Sequence, residues 1–176
     1  MSRQRTNLAG RVGKRAPFSS PEQETFLNLV RTHARLAAPF QKLFKARGVS
    51  PPLYNILRIL RGHMGQDKKT GVPHFGVPVL RIGQEMVTRE PDMTRLIARL
   101  GKTGLVSRAR CEHDRRIVFV RITARGLALL DVLGPEIDAL HRSQFGRLSR
   151  EELRLLNELL FRAADWDEPG RDARAP

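Results

Sequence analysis

The run Thr88 to Gly101, TREPDMTRLIARLG, leaves the chain few choices. Met93, Leu96, Ile97 and Leu100 recur at i, i+3, i+4 and i+7, the interval at which helical side chains share one face. Asp92, Thr94, Arg95 and Arg99 then look the other way. Thr88 suits an N-cap and Pro91 a first turn, where backbone amides have no intrahelical acceptor to lose. The spacing predicts a helix that starts near Arg89 and stops at Gly101, whose missing Cβ suits a left-handed C-terminal position.

Two short β-prone runs follow, Leu105 to Ala109 and Ile117 to Ile122, and the segment RCEHDRR between them is too charged to pack. A helix feeding a two-stranded ribbon with a basic tip has the parts of a winged helix-turn-helix. There the helix enters a major groove while the wing reaches the sugar-phosphate backbone or the neighbouring minor groove. Taken alone, the same segments also fit a solvated helix beside an ordinary hairpin.

The charge balance weighs against that blander reading. Among 176 residues, 32 Lys+Arg stand against 18 Asp+Glu, a formal charge of +14 that attracts polyanions. Nucleic acid is the first candidate partner and a membrane surface the second. No run reaches the roughly 20 apolar residues of a spanning helix. The basic N-terminus is followed by no apolar stretch that could serve as a secretory signal, so a cytoplasmic location is expected. The single cysteine, Cys111, excludes an intrachain disulfide framework.

Residues 1–19 form a basic arm with Arg3, Arg5, Arg11, Lys14 and Arg15, expected to be disordered when free. It suits either a phosphate-tracking arm or a solubilising tail. Ser20-Pro21-Glu22-Gln23 reads as an N-cap, a first-turn proline and a capping-box glutamine. The helix it opens carries Phe26, Leu27, Val30, Ala34, Ala37, Phe40 and Phe44 on one side, with Pro39 a kink and Gly48 the stop. Ser50-Pro51 repeats the start signal, and Leu53, Ile56, Leu57 and Leu60 make a second apolar face ending at Gly62. After a long Gly-rich, charged connection over 61–78, Val79, Ile82 and Met86 suggest a short helix, which with the next one makes a helix-turn-helix.

Beyond the wing, Thr123 opens a long helical segment with Leu130, Leu133, Ile137 and Leu140 at the spacing of helices that pair, kinked or interrupted at Gly134-Pro135. Ser149 to Glu152 is a capping box, and Leu153, Leu156, Leu159 and Leu160 follow it. The first helix and the last two carry more apolar surface than a small winged-helix core can cover. A homodimer is the simplest cover, and it would present two recognition helices to half-sites about one helical turn apart.

The run MTRLIARLGKTGLVSRARCEHDRRIVFVRITARG, Met93 to Gly126, resembles the recognition helix and wing of MarR-type transcriptional regulators. In that family a T-R-L-I-x-R-L helix is followed by G-L-V, a D-R-R wing tip, and L/I-T-x-x-G opening the next helix. The resemblance implies a mainly α fold with a small β-hairpin wing over residues 20–164. Residues 49–122 are then the DNA-binding lobe, 20–48 and 123–164 the dimerisation helices, and 165–176 a disordered tail. It implies a homodimer that binds a palindromic site in double-stranded promoter DNA, usually as a repressor, and is released by a small aromatic or phenolic effector.

Carried over by position, Asp92, Thr94 and Arg95 lie on the helix that contacts bases and phosphates, with Thr88, Arg89 and Arg99 in the same stretch. In the wing, Asp114 resembles the acid that orients Arg116 toward the minor groove, with Arg115 toward the backbone; the alternative for Asp114 is a local turn former. His33, Tyr54 and Arg58 are polar groups near apolar faces that could line an effector cleft or sit satisfied in a core or interface.

Two features depart from the family pattern: the longer, more basic connection from Gly62 to Pro78, and Cys111 where many relatives carry a polar residue. Beside Arg110, Arg115 and Arg116, Cys111 reads either as a redox-active thiol or as an inert small residue without a resolving partner. His63 and His74 bracket the long connection but form no tight ligand pair, so neither a metal nor a cofactor is assigned. No phosphate-binding Gly-Lys loop, G-x-S-x-G or H-E-x-x-H is present, and an enzyme is not expected. The competing reading is a winged-helix module that docks an acidic protein or coats DNA without selectivity.

Overall fold

The computed structural model describes residues 18–64, 76–111 and 114–165, with Gly10 and Gly13. The basic arm before Phe18, most of the 61–78 connection, residues 112–113 of the wing tip and the tail from 166 onward lie outside the described residues. The elements are α1 (Pro21–Ala46), α2 (Pro51–His63), β1 (Val77–Pro78), α3 (Val79–Gln84), α4 (Met93–Lys102), β2 (Val106–Arg110), β3 (Val118–Ile122), α5 (Ala124–Phe145) and α6 (Arg150–Ala164). They fall into two compact units divided between Pro135 and Glu136, so α5 contributes to each.

The first unit is built around α2. Leu53, Ile56, Leu57 and Leu60 are all buried, and α2 packs against α1, α3, α4 and β3. Ile82 of α3, Ile97 and Leu100 of α4, Val120 of β3, and Leu130 and Leu133 of α5 complete the buried set. Apart from Val120 in its strand, these are positions on helix faces that the sequence repeats at three and four, so the periodicity located the helical part of this core. An exposed ion pair, Arg61 to Asp131 at 3.5 Å, adds little at such a solvent-washed site.

The sheet has three antiparallel strands in the order β1-β3-β2, not the two expected. Val77 pairs with Val120, and Pro78 with Phe119. A two-residue strand is too short to show alternation, and its proline sits at a sheet edge, where a missing donor is tolerated. In the wing, Val106 pairs with Ile122, Arg108 with Val120 and Arg110 with Val118.

Both ends of α4 differ from expectation. The helix begins at Met93, and its N-cap is Asp92, whose Oδ1 accepts the Arg95 N–H at 3.0 Å. Thr88 instead donates its hydroxyl to Glu90 Oε1 at 3.3 Å. Pro91 explains the shift, because the residue before a proline is pushed out of helical conformation and a helix cannot be entered through Glu90. At the other end Gly101 remains helical, and Gly104 takes the left-handed conformation with φ 71°. Gly104 N–H donates to Gly101 O at 3.0 Å and Leu105 N–H to Leu100 O at 3.0 Å, a Schellman closure in which two buried leucines meet.

Other boundaries are shifted less. Ser20 is the expected N-cap, its Oγ accepting the Gln23 N–H at 3.2 Å, while Gln23 Oε1 accepts from the Ser19 N–H and hydroxyl. Met86 lies beyond α3. Helix α5 runs through Gly134-Pro135 without interruption, since buried Leu133 and Ile137 on either side hold turns that a single lost hydrogen bond does not break. Thr123 begins α5: its Oγ1 accepts the Gly126 N–H at 3.1 Å and donates to Gly104 O at 2.8 Å, tying this helix to the turn that ends α4.

In the second unit, Ser149 and Glu152 form the expected capping box, with bonds of 2.8 and 3.1 Å. Phe145, Leu148, Leu153, Leu156 and Leu160 line a groove of about 700 Å³, and no residue of α6 is buried. No helix among the described residues is long and apolar enough to cross a membrane.

Candidate nucleic-acid interface

Because Ile97 and Leu100 anchor one face of α4 in the core, its opposite face must stand in water. Thr94, Arg95, Arg99 and Lys102 are exposed there, and Arg89 is exposed just before the helix. No ion pair among the described residues engages any of these cations, whereas Arg61, Arg81 and Arg154 all have acidic partners. Field lines from the α4 cations therefore end on solvent or on a partner.

Asp92 is exposed too, but one carboxylate oxygen is committed to the helix start. Its first structural duty is to hold the first turn of α4. Asp92→Ala is expected to cost about 1 kcal/mol of stability, and Asp92→Ser, which keeps a cap acceptor, less than half of that. Thermal melting of the two variants beside wild type measures the difference.

The wing extends this cationic surface. Residues directly opposite across an antiparallel pair share a face, so Arg108 and Arg110 lie on the side of buried Val106 and Val120. Arg108 reaches back over α4: a Cβ at Gly101 would stand 3.2 Å from its Nε. Arg108, Arg110 and Lys102 thus join the expected set. The signal was present in the alternation Val106, Arg108, Arg110, which places two arginines on the core side of a strand beyond where the core ends.

At the tip, Asp114 forms an Asx turn, with Oδ1 accepting the Arg116 N–H at 2.9 Å and its carbonyl accepting Ile117 N–H at 3.0 Å. The carboxylate touches the backbone of Arg116 rather than its guanidinium. Arg115 and Arg116 project from that turn, both exposed. Cys111 is half-buried at the foot of the tip, where its N–H donates to Ile117 O at 2.9 Å.

The remaining sequence candidates are scattered. Tyr54 packs its ring on Phe44, centroids 4.9 Å apart, as a half-buried core aromatic. His33 on α1 and Arg58 on α2 are exposed, and neither the α5–α6 groove nor the small cavity beside His63 is lined by any of the three. His63 Nε2 lies 2.8 Å from Glu85 Oε2, and Arg81 Nε donates to Glu85 Oε1 at 3.1 Å. The hydrogen bond to His63 is the main cause holding the Glu85 carboxyl below its ordinary value. His74 lies outside the described residues, and no group of three potential metal ligands occurs among them.

A short helix, a turn, a second helix with an uncompensated basic face and a basic hairpin define a winged-helix DNA-binding protein. The sequence family described as winged helix DNA-binding domain matches residues 81–126. The solved structure of a MarR transcription factor from Planctomyces limnophilus is 36% identical, with a TM-score of 0.62, covering 82% of this chain and 98% of that one. The chain belongs to the MarR family, and it is a DNA-binding transcriptional regulator. The HTH-type transcriptional regulator FarR of Neisseria gonorrhoeae is 24% identical over 152 residues, 86% of this chain and 97% of that protein. Bordetella bronchiseptica BpsR, whose structure addresses regulation of its DNA binding by 6-hydroxynicotinic acid, shares the fold at 22% identity. Its TM-score is 0.67, and the match covers 81% of this chain and 99% of that one.

Proposed function

We propose that the protein is a homodimeric, sequence-specific repressor that binds a palindromic promoter site and is released by a small aromatic or phenolic ligand. The observation that carries the DNA half of this reading is the row of exposed cations on α4 whose opposite face is locked in the core. Thr94 and Arg95, in the first turn, face base edges. Arg99 and Arg89 take phosphates, Thr88 joins them when its hydroxyl turns from Glu90, and Asp92 sets the helix start while its second oxygen remains available to a base donor. In the wing Arg116 enters the minor groove and Arg115 meets the backbone, both held by the Asp114 turn.

Unpartnered apolar side chains support the dimer. Phe26 is 64% exposed and Val30 51% on α1, while Leu155 is 55% and Phe161 73% exposed on α6. A second copy of the chain would remove such surfaces from water, each fully buried large side chain contributing about 2 kcal/mol. Release by ligand is supported by the shared fold with BpsR. Arg58, an exposed fork suited to a carboxylate, is the first of the effector candidates to test, followed by His33 and Tyr54.

The test is binding of the full chain to fragments selected from its own genome. Sedimentation is expected to give twice the 20.0 kDa chain mass. Affinity for the selected palindrome should exceed that for random duplex by at least about 10³-fold, fall steeply with salt, and drop when phenolic or nicotinic acids are added. Equal affinity for random duplex at every salt concentration would instead leave a protein that coats DNA without selectivity.

A further inference from the structure

The turn between α3 and α4 carries a valine that nothing covers. Val87 is 84% exposed, more open than Leu80 at 75% or Phe161 at 73%. The chain around it is held on both sides. Before it, the Glu85 carboxylate receives Arg81 Nε at 3.1 Å and lies 2.8 Å from the His63 ring nitrogen. Half-buried Met86 accepts a hydrogen bond at Sδ from Asn55 Nδ2 at 3.5 Å. After it, Thr88 bonds to Glu90 at 3.3 Å, Pro91 fixes the backbone and Asp92 caps α4. Val87, Thr88 and Arg89 therefore form an exposed knuckle stapled to α2 on one side and to the start of the recognition helix on the other.

The Arg89 guanidinium in that knuckle suits phosphate oxygens, and the Thr88 hydroxyl can join it only by turning away from Glu90. A valine cannot make such contacts, so an apolar group must be its match. In the major groove the apolar group that differs between base pairs is the thymine 5-methyl. Val87 stands in the turn that leads into the recognition helix, ahead of its Asp92 cap, and the N-terminal residues of such a helix are the ones that come nearest the base edges.

We propose that Val87 is a specificity-determining residue, packing on one thymine 5-methyl in each half-site. This rests on the reading above that the chain binds DNA selectively through α4.

The experiment replaces thymine by deoxyuridine, which deletes the methyl and keeps the base pair. Sites are selected from random duplex with full-length wild type and Val87→Ala, then each thymine of the wild-type site is replaced in turn. At one thymine per half-site the replacement is expected to weaken wild-type binding about fourfold, the worth of one buried methyl group, and to leave Val87→Ala unaffected. The Val87→Ala consensus should lose its thymine preference at the same position. Because the side chain is exposed, equal melting temperatures should accompany these differences. If no thymine responds to deoxyuridine in a manner that depends on residue 87, the proposal is overturned and Val87 packs on sugar or faces water. If wild type selects no sequence at all, the selective-repressor reading fails first, an outcome distinct from the loss of this contact alone.

Discussion

Gly126→Ala is expected to destabilise the protein by about 3 kcal/mol, lowering the melting midpoint by roughly 10 °C. In an open helix the same change would stabilise by about 1 kcal/mol, since alanine has the higher helix propensity. Here the sign reverses, because a Cβ at Gly126 would stand 2.4 Å from the Leu105 carbonyl oxygen and 2.7 Å from Ile122 Cγ1. Neither neighbour can withdraw cheaply. The Leu105 carbonyl accepts the Thr123 N–H at 3.1 Å, and its own N–H closes the turn after α4 on Leu100 O. The added methyl therefore pushes on the junction that joins the recognition helix, the wing and α5. Calorimetry of Gly126→Ala beside Gly134→Ala is the measurement. A Cβ at Gly134 meets nothing within 4 Å, so that control should be neutral or stabilising. Equal melting of the two variants would show that the junction yields more easily than its hydrogen bonds imply.

Arg95→Ala is expected to weaken binding to the selected palindrome by about 100-fold while leaving the fold intact. Its guanidinium has no acidic partner among the described residues, and the cap uses only its backbone N–H, which alanine keeps. Each lost base contact is worth roughly 1–3 kcal/mol, and a dimer loses one per half-site. Salt dependence separates two ways of losing it. A phosphate contact lowers the slope of log K against log salt by about 1 per half-site and weakens all sequences equally; a base contact leaves the slope and relaxes selectivity at one position. Base readout is expected for Arg95, in the first turn, and the phosphate pattern for Arg89→Ala. Unchanged affinity in Arg95→Ala would remove Arg95 from the base contacts.

Much of this was legible because a helix core face needs only a period and a helix start only a short side chain with an acceptor. Leu53, Ile56, Leu57 and Leu60, Ile97 and Leu100, and the Ser149–Glu152 box were all found by those local rules. The true start of α4 was harder to see, since Thr88 and Asp92 are both good caps and Pro91 decides between them through the residue before it. Gly101 and Gly104 are likewise equal in composition. Gly104 takes the left-handed turn, in which Leu105 comes back onto Leu100.

Strand β1 and the reach of Arg108 over Gly101 had no local signal strong enough to read. Each depends on a contact between segments distant in the chain, Val77 with Val120 and a wing strand with the end of a helix. The exposed valine at 87 belongs with them, since its standing out follows from bonds that anchor the turn to α2 and to the start of α4.

The amino-acid order by itself determined which helices form, which of their faces are apolar, and that an uncompensated basic helix is followed by a basic hairpin. Propensity, capping and periodicity act within a few residues and need no fold to be read. Pro91 and the turn from Leu100 to Leu105 chose locally between two caps and two glycines, whereas tertiary structure alone decided which cations stand together and where a methyl has no room. Those outcomes are set by packing and hydrogen bonds between distant segments, and no local pattern encodes the distances involved.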